Sequence, residues 1–186
     1  SIIAEVLPRI WERDAAEGQR RLDELRQLTR GALAEMRMLL VELRPSALLD
    51  TALRDLLGHL VEAFTGKTRV PVSFETRGEC ELPPDAQIAF YRIAQEALNN
   101  VAKHAGASQV WVDLRCQRDR VTLSVRDDGR GFDRESIPTG HFGLDIMDER
   151  AETIKAEFSV TSEPGQGTIV RLVWHADDAE TNLLIY

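Results

Sequence analysis

The sequence predicts an α+β chain: a two-layer α/β sandwich, in which a mixed five-stranded sheet carries helices on one face, preceded by a partial antiparallel helical hairpin. Three patterns in the 186 residues point there. Apolar side chains recur every seven residues near the N-terminus, five short segments further on alternate apolar with polar residues, and stretches with helical spacing lie after the first and the third of them. Gln117 to Arg120 is short enough for a hairpin between the second and third.

The hairpin comes first. Leu22, Thr29, Met36 and Leu43 are seven residues apart, as are Leu25, Ala32 and Leu39, which makes a seam of period 3.5. Leu28, Leu33 and Leu40 widen that stripe toward the broad face of a four-helix bundle. Ser1 to Asp14 reads as the end of an earlier helix bearing Ile2, Ile3, Val6 and Ile10, joined through Ala15-Ala16-Glu17-Gly18. So short a connection implies antiparallel neighbours. A helical pair packed on its own domain fits the same pattern.

Pro45 ends the long helix, because proline lacks a donor and disfavours helix in the residue before it. The boundaries expected are a dimerisation hairpin over 1–45, a second domain over 46–175 and a tail over 176–186. Asp50 is positioned to cap a helix whose Leu53, Leu56, Leu57, Leu60, Val61 and Phe64 share one face. Strand alternation then appears at Val70, Val72 and Phe74; at Val110, Val112, Leu114 and Cys116; at Val121, Leu123 and Val125; at Phe158 and Val160; and at Val170, Leu172 and Trp174. Each strand has a single apolar face, so helices should cover one side of the sheet.

Composition narrows the function. A hydrophobic fraction of 43% and a charged fraction of 29% are ordinary for a folded soluble domain. No apolar run approaches the ~20 residues a membrane span needs, and a formal net charge of -8 disfavours a nucleic-acid backbone. Cys80 and Cys116 have no metal-ligand spacing and read as small buried hydrophobes in a reduced, cytoplasmic compartment.

Four constellations carry chemistry. On a helix expected from Pro84 to Ala105, Glu96, Asn100, Lys103 and His104 stack along one border of the buried stripe. The arrangement suits a magnesium nucleotide: the amide oxygen of Asn100 is a hard ligand, Lys103 can meet phosphate, and Glu96 can orient or deprotonate an incoming group. A solvated helix with a Glu–Lys pair has the same spacing. Asp127-Asp128-Gly129-Arg130-Gly131 closes a strand, where glycines let the backbone approach a flat ring and a carboxylate can accept from an exocyclic amine. It also fits a hairpin turn or an acidic cation loop. Gly140 and Gly143 precede the helical Leu144-Asp145-Ile146-Met147, a phosphate-compatible N-terminus, and Gly165-Gln166-Gly167-Thr168 leads into the last strand.

Taken together and in this order, the motifs resemble the sensor histidine kinases within the gyrase, chaperone, mismatch-repair and kinase ATPase superfamily. Glu96-x-x-x-Asn100 matches the family's N box, Asp127-x-Gly129-x-Gly131 its first glycine box, Gly140-x-x-Gly143 its second, and Gly165-x-Gly167-Thr168 its closing motif. Gln95-Glu96-Ala97-Leu98, Lys103-His104, Gly140-His141-Phe142-Gly143-Leu144 and Leu43-Arg44-Pro45 are similar to the nitrate-sensor-like subfamily.

The resemblance implies a Bergerat ATP-binding fold, with ATP and Mg2+ as ligands. It implies Asn100 as the magnesium ligand, Glu96 as the residue that assists the reaction, and Lys103 and His104 near phosphate. Asp127 would receive the adenine amino group, Gly129 and Gly131 would let the loop close on the base, Gly140, Gly143 and Leu144 would cap the phosphates, and Thr168 would support the adenine side. A homodimer through the hairpin and a response-regulator receiver domain are the implied partners, with no nucleic acid and no membrane contact by these residues.

Two departures stand out. The family phosphorylates a histidine followed by an acidic residue, yet His59, His104, His141 and His175 all precede apolar residues. The acceptor is therefore expected upstream of Ser1, and this chain alone is expected not to phosphorylate itself. Asp148 occupies a position where the subfamily often has a basic residue, and we have no physical account of it. An anti-sigma-type serine kinase shares such a pocket but lacks the seven-residue seam; a nucleotide-binding assembly module without catalysis is the non-enzymatic alternative.

Overall fold

The computed structural model describes residues 11, 14–23, 25, 26, 29, 33, 36, 48–133 and 142–176. Most of the predicted hairpin, the stretch 134–141 and the tail after Ala176 lie outside them. Among the N-terminal residues described, 15–23 are helical. The Asp14 carboxylate accepts from the N–H groups of Ala16 and Glu17 at 2.9 and 3.1 Å. Those two bonds satisfy donors that a helix start leaves open, so Ala15–Gly18 form a first turn and not the loop expected from sequence.

The remaining elements are α1 (Leu53–Thr68), β1 (Val72–Arg77), α2 (Pro84–Asn100), a π-helical turn (Val101–Ala105), β2 (Val110–Cys116), β3 (Arg120–Asp127), α3 (Phe142–Thr153), β4 (Glu157–Ser162) and β5 (Thr168–His175). The sheet runs β1-β2-β3-β5-β4, with β1 and β2 parallel and every other pair antiparallel. This is the mixed five-stranded sheet expected. Val110, Val112 and Leu114 of β2 and Val121, Leu123 and Val125 of β3 are buried, while the residues between them point the other way. Phe90, Ile93, Ala94 and Ala97 of α2 meet that apolar face, as do Leu56, Leu57 and Leu60 of α1.

Local chemistry sets the helix ends. Asp50 does not cap α1; the N-cap position belongs to Ala52, which has no side-chain cap bond. Pro84 starts α2, where its fixed φ is already helical and its missing N–H is no loss. Gln87 donates through Nε2 to the Thr51 carbonyl at 2.9 Å and also to that of Leu48. Leu48 is itself buried in the core, so the segment entering the domain is pinned to the first turn of α2. The helix expected as far as Ala105 widens to π geometry after Asn100.

The cysteines depart from expectation. Parallel pairing sets Arg77 opposite Arg115, and Gly78 turns with φ 81° over the carbonyl of Cys116. That turn returns the chain so that Cys80 and Cys116 form a disulfide, with Cα atoms 5.1 Å apart. They are 36 positions apart in sequence, and neither lies in a motif, so the pairing had no local signature.

Phe90 is fully buried between the helices and the sheet. Phe90→Ala is expected to lower the free energy of unfolding by about 3–5 kcal/mol, the sum of lost transfer energy and an unfilled cavity. Urea titration followed by circular dichroism measures it.

Candidate functional site

A cavity of about 350 Å³ opens between the C-terminal end of α2, the end of β3, the start of α3 and the start of β5. Ala97, Val101, Val125, Val170, Leu144 and Phe132 give it apolar walls; Asn100, His104, Asp127 and Thr168 supply polar groups. The size and the mix suit a flat, partly apolar ligand oriented by a few hydrogen bonds.

Asp127 is the one charged side chain buried among the described residues, at 3% exposure. It ends β3 because the strand's alternation points it inward after Val121, Leu123 and Val125. Its Oδ1 accepts from the Gly129 N–H at 2.8 Å, and the Thr168 N–H also supports the carboxylate. Burial nevertheless raises its pKa above the usual carboxylate value, and the adjacent Asp128 adds to the rise, against the lowering by those two N–H groups.

Asp128, one residue on, faces solvent and does the opposite. The Ser108 hydroxyl donates to it at 2.5 Å, and the N–H groups of Ser108 and Gln109 donate at 2.8 and 2.9 Å. Its pKa is lowered, chiefly by that hydroxyl and by the Gln109 N–H. Two neighbouring acids thus divide the work: Asp127 serves the cavity, and Asp128 ties the end of β3 to the approach to β2.

Further bonds close the wall. The Arg130 N–H donates to the Ala105 carbonyl at 2.9 Å, and the Gly165 N–H donates to the Arg130 carbonyl at 2.6 Å. Ser162 Oγ accepts from the Phe132 N–H and lies 3.0 Å from Thr168 Oγ1. Gly131 and Gly167 have positive φ, and a Cβ on either would run into backbone, the Glu163 carbonyl for Gly131 and the Asp127 carbonyl for Gly167. On the other side, a Cβ on Gly143 would lie 2.7 Å from Glu96 Oε1 and 3.5 Å from Asn100 Nδ2. The first turn of α3 therefore sits directly on the Glu96–Asn100 edge of α2.

The residues singled out from sequence fall into three groups. Asn100, His104, Asp127, Gly131, Gly143, Leu144 and Thr168 line the cavity. Glu96 and Gly129 adjoin it, through Gly143 and Asp127 respectively. Lys103 is exposed and not on the lining, because the π turn changes the angular step after Asn100 and undoes the helical stacking expected of it. Gly140 lies outside the described residues. Arg130, Phe132 and Asp133, which belong to the same glycine-bearing segment but had no role expected of them, also line the cavity. Ser162, which bonds to Phe132 thirty residues away, had no signal to give.

Residues 85–178 match the model of the histidine kinase-, DNA gyrase B- and HSP90-like ATPases, and residues 1–48 match a histidine kinase model. The chain belongs to this ATPase family and, within it, to the sensor histidine kinases. It is 34% identical over 169 residues to the signal transduction histidine-protein kinase/phosphatase DegS of Brevibacillus brevis, covering 90% of this chain and 44% of that protein. It is 33% identical over 138 residues to the sensor histidine kinase LiaS of Bacillus subtilis, covering 74% and 38%. The chain thus spans less than half the length of these curated relatives. The fold is similar to the histidine kinase domain of the Erythrobacter litoralis EL346 blue-light activated kinase, with a TM-score of 0.59, 24% identity, and coverage of 70% of this chain and 64% of that one. The catalytic domain of histidine kinase ThkA gives a TM-score of 0.55 at 15% identity, covering 67% and 94%.

Because the fold raises the pKa of Asp127, the native state holds that proton more tightly than the unfolded chain does. This group's contribution to stability therefore falls as pH rises from the ordinary carboxylate range of about 4 through its folded value. Asp127→Asn should melt higher relative to the parent at pH 7 than at about pH 4. A melting difference that stays constant across that range would contradict the burial penalty.

Proposed function

We propose that this chain is the catalytic ATP-binding region of a two-component sensor histidine kinase. The full protein would transfer the γ-phosphoryl group of ATP to a histidine on a dimerisation helix, and then to an aspartate of a response regulator. The observation that carries the reading is the convergence of Asn100, Asp127 and Thr168 on one cavity whose rim is the contact of Gly143 with Glu96.

The residues present fit a nucleotide. The apolar walls beside a buried carboxylate suit a base that offers an exocyclic amine, and Asp127 would accept from it. Gly129 and Gly131 keep the loop low against the base, and Thr168, joined to Ser162, fixes the opposite wall. Gly143 and Leu144 at the start of α3, with Gly140 before them, would cap the phosphates with free N–H groups. His104 would approach the phosphates from the end of α2, and Lys103 would do so if the ligand draws it in from solvent.

Asn100 offers a hard amide oxygen for Mg2+, which when bound would neutralise charge on the transferring phosphoryl group. Glu96, one helical turn before Asn100, would align the incoming imidazole and take its proton. Most of the rate enhancement would then come from positioning and electrostatics.

In the parent protein, residues 1–45 would belong to a homodimeric hairpin, 46–175 to the catalytic domain and 176–186 to a tail. Met36 of the seam and Leu33 of the stripe beside it are 63% and 50% exposed in the single chain, which supports a partner helix over them. No helix among the described residues is long and apolar enough to cross a membrane. We place the domain in the cytoplasm, where ATP is supplied, with any anchor in a segment upstream. The Cys80–Cys116 disulfide would there be subject to the reducing thiol pool.

Asn100→Ala is expected to weaken Mg-ATP binding by at least about tenfold, or 1.4 kcal/mol, while leaving the fold intact. Calorimetry with and without Mg2+ tests this, and an unchanged affinity would remove the assigned pocket. Gly143→Ala should weaken binding similarly, because the new methyl displaces Glu96.

A further inference from the structure

The sheet has a second face, turned away from α1, α2, α3 and the nucleotide cavity. On β2, β3 and β5 it presents Trp111, Asp113 and Arg115; Arg120, Thr122, Ser124 and Arg126; and Ile169 and Arg171. Arg126 is engaged, its guanidinium lying 5.0 Å from the centre of the Trp111 ring. Arg115, Arg120 and Arg171 instead line a shallow depression together with Asp113 and Ile169. None of these three arginines forms an ion pair among the described residues, and the Nε of Arg120 is buried there with no acceptor.

Such a cluster is unexpected on a chain whose formal net charge is -8. Its complement lies on α3. Asp145, Asp148, Glu149 and Glu152 are all exposed there, and spacings of three, four and seven residues put them on one stripe. Arg150, the one base of that helix, projects about 140° from Asp145 and so away from the stripe.

Apolar anchors match as well. Within 53–176, Ile146 and Ile169 are the two exposed large hydrophobics among the described residues, at 40% and 39%. One sits at the margin of the acidic stripe, the other inside the arginine depression.

We propose that the arginine depression is a docking surface for an acidic helix, and that its occupant is α3 of a second copy of this chain. The two patches differ and lie on different faces, so the contact is head-to-tail and separate from any twofold hairpin dimer. Charge pairing around Ile146 and Ile169 sets its orientation, and the interaction weakens with salt. It rests on surface chemistry alone and stands whether or not the kinase reading does.

Sedimentation velocity of the whole chain over a concentration series tests it. Species larger than the hairpin dimer are expected at low salt and should diminish at 0.5 M NaCl. Arg115→Glu with Arg171→Glu should weaken that association at least tenfold, and so should Asp148→Arg with Glu149→Arg. An equimolar mixture of the two variants should regain it, since each then offers the other a complementary surface. Circular dichroism and melting temperature of the Arg115/Arg171 variant should equal those of the parent, which shows that it folds. Should the glutamates unfold it, Arg115→Gln with Arg171→Gln replaces them and should still weaken association. Absence of species beyond the hairpin dimer, or indifference to both reversals, overturns the proposal. A loss on reversing the sheet face alone, with none from α3, also overturns it, because the occupant would then be a different acidic segment.

Discussion

A carboxylate held out of water at the end of a central strand is the constraint on which the rest of this structure depends. Asp127 follows three buried aliphatic residues on β3, and nothing in strand alternation allows it to face solvent without reversing the whole set. The fold accepts the desolvation because two backbone N–H groups, from Gly129 and Thr168, already point at the carboxylate. One donor comes from the loop after β3 and the other from the first residue of β5, so holding Asp127 also fixes the ends of the two strands relative to each other. The glycine conformations follow from that closeness: at Gly167 a side chain would run into the Asp127 backbone. An apolar residue at 127 would relieve the burial penalty and remove the one buried charge among the described residues, so the site is maintained at the expense of stability.

The other wall obeys a simpler rule. α2 is packed on the sheet by Phe90, Ile93, Ala94 and Ala97, which fixes its rotation. Once that rotation is set, Glu96 and Asn100, four residues apart, emerge at the same border of the buried stripe. Gly143 lets α3 start against them because it has no side chain. Gln87, at the opposite end of the same helix, anchors the segment that enters from the N-terminal region. One helix therefore contacts both the cavity and the segment that enters the domain at residues 48–51.

How much of this the sequence made legible follows from the range of the interactions. Alternation and helical spacing are local, and they placed every strand, α1 and α2 within a few residues. Asn100, Asp127, Gly143 and Thr168 of the N-box and glycine motifs line one cavity because each lies on an element whose direction the pattern fixes. Lys103 lies off the cavity lining for a local reason that the pattern does not encode: the turn after Asn100 widens, and the angular arithmetic of an α-helix no longer applies. Asp14 was missed as a helix start because apolar periodicity before it suggested continuity, whereas its carboxylate caps the following turn. The Cys80–Cys116 bond and the Ser162 contacts depend on sheet order, and β1 lies next to β2 only through a crossover that includes all of α2.

Sheet order also explains how one domain presents two such different surfaces. On β3 the residues alternate strictly, so Val121, Leu123, Val125 and Asp127 serve the core and cavity while Arg120, Thr122, Ser124 and Arg126 serve the outer face. On β5, Thr168 and Val170 line the cavity and Ile169 and Arg171 line the depression. The two sites share strands but no side chains, so surface charge on the outer face can change without disturbing the geometry around Asp127. A period of two residues thereby separates the cavity from the arginine depression within the thickness of a single sheet.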